Sequence, residues 1–113
     1  MKTTKEHSEK YPWGTDCWGW HLVNNQKLSV IQELMPPNTS EVKHLHKQSQ
    51  QFFYILKGVA IFEVDGERIL VRQSEGIHIQ KDKIHQIKNE TEGNLELLVI
   101  SQPHSHNDKV IVP

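Results

Sequence analysis

Short runs of β-branched, aromatic and other apolar residues, separated by turn-forming residues, recur along most of the chain. They occupy 20–23, 27–35, 52–56, 59–64, 67–71, 77–80, 84–89 and 95–101. No apolar pattern with the helical period of 3.6 residues persists over several turns, so the periodicity favours strands. Eight or nine short strands joined by frequent turns are typical of a sandwich or small barrel. The pattern therefore predicts an all-β fold, a small antiparallel β-barrel.

Two turn sequences predict hairpins between these strands. Asp65-Gly66 separates two β-rich runs, and an Asp-Gly pair in that position is among the strongest short-range hairpin signals. Asn24-Asn25 separates the first two runs in the same way. Pro36 and Pro37 end the second run, because proline has no N–H group to donate to a neighbouring strand.

The 113 residues are enough for one domain with its own core. Residues 1–10 are charged and lack periodicity, so we expect a flexible N-terminal arm followed by a single domain over 11–113. Three tryptophans, at positions 13, 18 and 20, follow this arm. Two roles stay open for them: packing against the body of the domain, or contact across a dimer interface, where tryptophan is enriched.

Charge and composition exclude several classes of function. The formal net charge of -1 gives no basic surface for a nucleic-acid partner. The sequence has no apolar run long enough to span a membrane, and its first ten residues are too polar for a secretory signal. Cys17 is the single cysteine, so no internal disulfide forms, and we expect a reducing, cytoplasmic location.

Candidate chemistry concentrates between positions 44 and 85. His44 and His46 stand two residues apart, so on a strand they project from the same face and can begin a metal site. A polar strand face is the alternative. His85, at the start of a later predicted strand, is the best third ligand, because strands of a small barrel bring interior-facing positions together. Three imidazoles and an oxygen donor suit a divalent transition metal: Zn, Fe, Ni, Mn or Cu.

The spacing of these residues resembles the two motifs of the cupin superfamily. His44-x-His46-x4-Gln51-x6-Gly58 is similar to the first motif, G-x5-HxH-x3,4-E-x6-G. Residues 74–89 are similar to the second, G-x5-PxG-x2-H-x3-N, with His85 on its histidine and Asn89 on its asparagine. The resemblance implies the cupin jelly roll. It also implies His44, His46 and His85 as metal ligands, with Gln51 at the position of the motif glutamate.

The chain departs from both motifs. Asn38, Ser74 and Asp82 replace motif glycines and Gln80 replaces the proline, at turn positions where such residues are acceptable. Gln51 is more consequential, because an amide offers a metal only a dipole where a carboxylate offers charge. Gln51 is therefore expected to weaken metal retention and favour an anionic ligand, or to orient a water or ligand from outside the coordination sphere. A site that no longer holds metal is a further alternative.

These features lead to a functional hypothesis and its rivals. The first is a small metal-binding cupin, dioxygenase-like or isomerase-like, that acts on or binds a small polar or anionic molecule in a pocket lined by Phe53 and Ile55. The alternative is a non-catalytic module that binds a small molecule or sugar, or senses a metal; a role in assembly alone is the third. The resemblance also implies a homodimer. His104 and His106, a second pair in the tail, are expected to be solvated or to form a chance surface chelate.

Overall fold

The apolar runs form strands in the computed structural model, which describes residues 1–105 and 107–113. The elements are a 3-10 helix (Lys5–His7) and strands β1 (Glu9–Trp13), β2 (Cys17–Asn24), β3 (Ser29–Met35), β4 (Thr39–Ser40), β5 (His44–His46), β6 (Gln50–Lys57), β7 (Val59–Val64), β8 (Glu67–Arg72), β9 (Gly76–Ile79), β10 (His85–Asn89), β11 (Leu95–Gln102) and β12 (Lys109–Ile111). The all-β prediction is confirmed. In these residues no helix is long and apolar enough to cross a membrane.

Two antiparallel sheets form the jelly roll. The first has the strand order β1-β2-β3-β11-β6-β9, and the second has the order β12-β5-β10-β7-β8, with β4 also paired to β10. Both sheets contribute to one hydrophobic core: Phe53 of the first sheet and Phe62 of the second meet with ring centroids 5.0 Å apart. Strand β6 shows the alternation of a half-buried strand, with Phe53 and Ile55 buried and Phe52 and Leu56 exposed on the outer face.

The turns show why the motif departures are tolerated. Asn38, Ser74 and Asp82 have φ angles of 61°, 66° and 67°, the left-handed region in which glycine is favoured and in which Asn and Asp are enriched among other residues. These positions still make the turns that the motif glycines would make. Asp65 and Gly66, with φ of 49° and 85°, form the predicted hairpin between β7 and β8.

The first sheet begins within the stretch that the sequence assigns to a flexible arm. Strand β1 starts at Glu9 and pairs with β2 across a turn in which Gly14 and Asp16 have positive φ. Lys10 lies with its Nζ 4.1 Å from the ring centroid of Trp18, and Lys5 covers the ring of Trp20 at 4.8 Å. The sequence missed β1 because it is a short edge strand with polar residues at its start. The flexibility of the arm over residues 1–10 stays a prediction.

Asn89, the last residue of the second motif, has a structural role. It is fully buried at the end of β10. Its side-chain amide donates to the carbonyl oxygens of Met35 at 2.8 Å, Pro36 at 3.2 Å and Gly93 at 2.9 Å. One side chain thus ties the end of β3 to the turn before β11.

Candidate metal centre

Three histidines meet inside the jelly roll. His44 and His46 project from β5, and His85 begins β10, where it pairs directly with His44. Their exposed fractions are 3%, 5% and 1%. Each offers one ligand atom, and these atoms lie within 4.8 Å of one another. The strand pairing therefore brings together the three residues that the sequence selects, at a spacing that can hold a metal ion.

Hydrogen bonds fix the tautomers of two of the rings. The Nδ1 atom of His44 lies 2.7 Å from the carbonyl oxygen of Val42, and that of His85 lies 2.8 Å from the carbonyl oxygen of Lys83. A carbonyl oxygen only accepts hydrogen bonds, so each Nδ1 carries the hydrogen and donates it. The Nε2 atom of each neutral ring therefore keeps a free lone pair, which is the state in which imidazole binds a metal.

His46 is oriented by a carboxylate from the C-terminal segment. Its Nδ1 lies 2.8 Å from Oδ1 of Asp108, while Oδ2 accepts from the backbone N–H groups of Gln48 at 3.0 Å and Ser49 at 2.7 Å. Burial tends to raise the pKa of Asp108, but these three hydrogen bonds outweigh it and hold the pKa below its usual value. Asp108 is therefore ionised. It orients the His46 ring through Nδ1, as carboxylates commonly do for metal-binding histidines.

Burial keeps His44 and His85 neutral. It lowers the pKa of His44 to about 3, and the charges of His85, Lys109 and His46 add to the effect. The pKa of His85 is lowered as well, with burial again the largest cause. Neutral imidazoles are ready to bind a cation, because no proton has to be displaced from them.

Gln51 lies beside the histidines with its amide oxygen towards them. Its Oε1 is 3.2 Å from Nε2 of His85, and its Nε2 donates to Oγ of Ser101 at 2.9 Å. In this orientation two lone pairs face each other, which a cation between them would satisfy. The reversed amide, donating to His85 and accepting from Ser101, suits the metal-free protein. Three imidazoles with an amide oxygen at hand fit a divalent transition metal.

His44 and His46 open into a cavity of about 390 Å³, and His85 is not among the described residues that line it. His44, His46, Gln51 and Phe53 lie in its wall. Ile55, which the sequence places beside Phe53, is fully buried in the hydrophobic core and is not among the described residues that line the cavity. It lies two residues farther along β6, so it shares the inward face of Phe53 but packs deeper, in the hydrophobic core.

A second group of polar residues, which the sequence analysis missed, lines the same cavity. We call Tyr11, Glu33, Glu41 and Lys109 the carboxyl cluster. Burial raises the pKa of Glu33 to about 8, with the charge of Glu41 adding and that of Lys109 opposing. Burial also raises the pKa of Glu41 to about 7, against Lys109 and a backbone N–H donor. The four residues come from separate segments, so no motif could have found them.

The second histidine pair of the tail falls partly outside the described residues, because His106 is not among them. His104 is half-buried and lines a different, smaller groove with Gln48 and Asp108. The solvated state expected for this pair stays a prediction.

Comparison with known proteins identifies the family. The cupin domain family matches residues 31–101, more than half of the chain. The chain therefore belongs to the cupin family. An uncharacterised protein of Methanocaldococcus jannaschii is 30% identical over 93 residues, covering 81% of this chain and 74% of the relative.

Solved structures share the fold at low sequence identity. A predicted oxalate decarboxylase from Thermotoga maritima superimposes with a TM-score of 0.82 at 20% identity, covering 92% of this chain and 100% of its own. A cupin sugar phosphate isomerase from Silicibacter pomeroyi gives a TM-score of 0.79 at 16% identity, covering 92% and 76%. At these identities the likeness shows the fold alone.

Proposed function

We propose that this protein is a small metal-dependent cupin in which His44, His46 and His85 hold a divalent transition metal and a small polar or anionic molecule binds beside it. The observation that carries the proposal is the convergence of three buried imidazoles whose ligand atoms lie within 4.8 Å of one another. Hydrogen bonds to Nδ1 leave the Nε2 lone pairs of His44 and His85 free. When bound, such a metal supplies Lewis-acid chemistry or activates oxygen. Gln51 offers an amide oxygen as a fourth ligand.

The charge balance of the cavity supports an anionic ligand. The imidazoles of His44 and His85 are neutral, and Gln51 adds no charge where the family motif has a carboxylate. Glu33, with its pKa near 8, is mostly protonated at pH 7, and Lys109 contributes a positive charge at the cavity wall. A divalent ion would therefore leave the cavity positive, and a negatively charged ligand would balance it.

Two structural relatives agree with this class of ligand. The Thermotoga maritima protein is described as a predicted oxalate decarboxylase, and the Silicibacter pomeroyi protein as a sugar phosphate isomerase. Oxalate and sugar phosphates are both small anions. We extend to this chain only that shared chemistry.

A non-catalytic binding or metal-sensing module is the second candidate, and Gln51 favours it, because losing the motif carboxylate weakens metal retention. The test uses protein purified without a polyhistidine tag and loaded with each candidate metal. Turnover is measured against thiols, diketones and sugar phosphates, with and without O₂, and binding of the same compounds by calorimetry. Metal-dependent turnover supports an enzyme, binding without turnover supports the module, and neither binding nor turnover contradicts both.

We also propose a homodimer in the cytoplasm. A second copy would cover exposed apolar side chains such as Phe52 and Leu56 on the outer face of the first sheet. The cytoplasmic location is supported by the free, buried Cys17. Sedimentation equilibrium should give twice the chain mass of 13.2 kDa, and a mass of one chain contradicts the dimer. Recovery of the protein outside the cytoplasmic fraction contradicts the location.

A further inference from the structure

Glu33 is a half-buried acid that faces the cavity without a protein partner. It lies on β3, opposite Gly19 of β2, and lines the cavity that His44 and His46 also line. No hydrogen bond or ion pair joins its carboxyl group to residues 1–105 or 107–113. Taking an acid out of water costs free energy unless it is paired. An unpaired acid in the wall of a cavity is therefore a candidate for a functional role.

Its neighbours place hydrogen-bond donors around the same space. The Tyr11 ring lies across Gly19, where a Cβ atom would come within 2.4 Å of Cζ and 2.5 Å of the hydroxyl oxygen. Burial raises the pKa of Tyr11 and the charge of Glu33 adds to this, so the hydroxyl is a neutral donor. Trp13 also lines the cavity, and its buried Nε1 has no hydrogen-bond partner among the described residues. These donors suit the oxygen atoms of a ligand.

Glu41, the other acid of the cluster, already has a hydrogen-bond partner in the protein. Oε1 of Glu41 accepts from the backbone N–H of Ile87 at 3.3 Å. Glu33 has no such contact with the described residues, so both oxygens of its carboxyl group are available to a ligand. Lys109 adds a cation that would attract the charge of an anionic ligand.

We propose that Glu33 is the proton-transfer residue of this site and acts on a small anionic carbonyl compound in the cavity that the histidines share. The inference rests on the metal-dependent function proposed above. The carboxylate takes a proton from the carbon next to the carbonyl group. The C–H bond breaks, its electron pair moves onto the carbonyl oxygen as an enolate, and Glu33 becomes a carboxylic acid. The C=C electron pair of the enolate then takes a proton back from Glu33 at the same carbon and the carbonyl group re-forms, so no oxidant or reductant is needed.

The rate should depend on pH through Glu33. Several titratable or charged side chains line the same cavity, from the neighbouring strands and the segment before β5. They are Tyr11, His21, Glu41, His44, His46 and Lys109. Only the carboxylate form of Glu33 accepts a proton, so the rate should rise with pH up to the Glu33 pKa of about 8 and level off above it. Replacing Glu33 by glutamine should remove that rise.

The experiment follows hydrogen–deuterium exchange into pyruvate. Pyruvate is a small anionic carbonyl compound whose methyl protons are next to the carbonyl group. Untagged zinc-loaded protein is incubated with pyruvate in D₂O, and loss of the methyl signal is followed by proton NMR. Glu33→Gln should lower the enzyme-dependent rate by about 100-fold or more, with unchanged zinc content. Glu96→Gln is the matched control, because Glu96 is a half-buried acid of the same sheet that alternates with buried Leu95 and Leu97 and so lies on the outer face.

A second variant separates chemistry from structure. Glu33→Ala should lose the exchange, and added acetate should restore part of it, because a free carboxylate can occupy the vacated space. A merely structural role would not be rescued in this way. Equal rates in the wild type and Glu33→Gln overturn the proposal, and so does absence of exchange in wild-type protein that holds zinc. Wild-type protein that holds no metal overturns instead the function on which the proposal rests.

Discussion

The histidine centre and the carboxyl cluster share one cavity but are built in different ways. His44 and His46 occupy one strand and His85 the strand paired with it, so their proximity follows from local pairing. Glu33 and Lys109 lie on strands of different sheets, β3 and β12. The family motifs record the first arrangement, because the three histidines fall on motif positions. The motifs carry no trace of the second arrangement, which exists only once both sheets have formed.

Burial shifts the pKa values of the two groups in opposite directions, but it favours the uncharged form in both. It lowers the pKa of His44 to about 3 and raises that of Glu33 to about 8. In both cases the protein interior disfavours the charged form. Near pH 7 the metal-free cavity therefore holds mostly uncharged groups. The cavity can therefore accept a metal ion, which would bind at the histidine centre, and a ligand, which would bind at the carboxyl cluster.

The largest expected effect comes from removing one histidine of the histidine centre. His44→Ala should lower the metal content of untagged protein from about one ion per chain to less than about a tenth, because two imidazoles retain a divalent ion poorly. His78→Ala is the control, since His78 is exposed and bonded to Gln50. Elemental analysis measures both variants. Full metal content in His44→Ala would show that the histidine centre does not hold the ion.

The next prediction concerns the residue that orients His46. Asp108→Asn should weaken metal affinity about 10–100-fold, since loss of a carboxylate behind a ligating histidine has effects of that size. Competition with a chromogenic chelator measures the affinity. Asp82→Asn is the control, because Asp82 is exposed and its one ion pair, with Lys47, spans 3.9 Å. An unchanged affinity in Asp108→Asn would mean that His46 needs no orienting carboxylate.

A third variant restores the carboxylate of the family motif. Gln51→Glu should tighten metal binding by about tenfold or more, because a charged oxygen ligand replaces a dipole. The same charge should weaken binding of an anionic ligand in the cavity. Calorimetry measures both affinities. If neither changes, residue 51 contacts neither the metal nor the ligand.

The smallest expected effect is on the pH dependence of folding in metal-free protein. The folded-state pKa of His44, about 3, lies below its ordinary 6.5, so the unfolded chain binds more protons and stability falls as pH drops from 6.5 towards 3. The folded-state pKa values of Glu33 and Glu41, about 8 and 7, lie above 4.5, so stability falls as pH rises through them. Stability should therefore be greatest between pH 4.5 and 6.5.

Urea denaturation of chelator-treated protein across pH 4 to 9 measures this profile. The double variant Glu33→Gln and Glu41→Gln should lose the decline on the alkaline side. A wild-type maximum at pH 8 or above would contradict the burial of the two acids.

The sequence anticipated the jelly roll through strand periodicity and turn residues, and the meeting of His44, His46 and His85 through the two motifs that these histidines match. It missed β1, an edge strand with few apolar residues, and it placed Ile55 at the cavity although that residue lies deeper in the core. The sequence did not predict the roles of Asp108 and Glu33. Asp108 acquires its role from His46, 62 residues away in the chain. Glu33 acquires its role from a cavity that several segments of the chain form together, and neither acid belongs to a motif.

X-ray absorption spectroscopy at the metal edge of untagged protein tests the central claim most directly. For zinc, we predict three imidazole nitrogens at about 2.0–2.1 Å with one or more oxygen neighbours. His85→Ala should leave two. A spectrum with sulfur neighbours, or with fewer than three imidazole nitrogens in the wild type, would contradict a metal centre built from His44, His46 and His85.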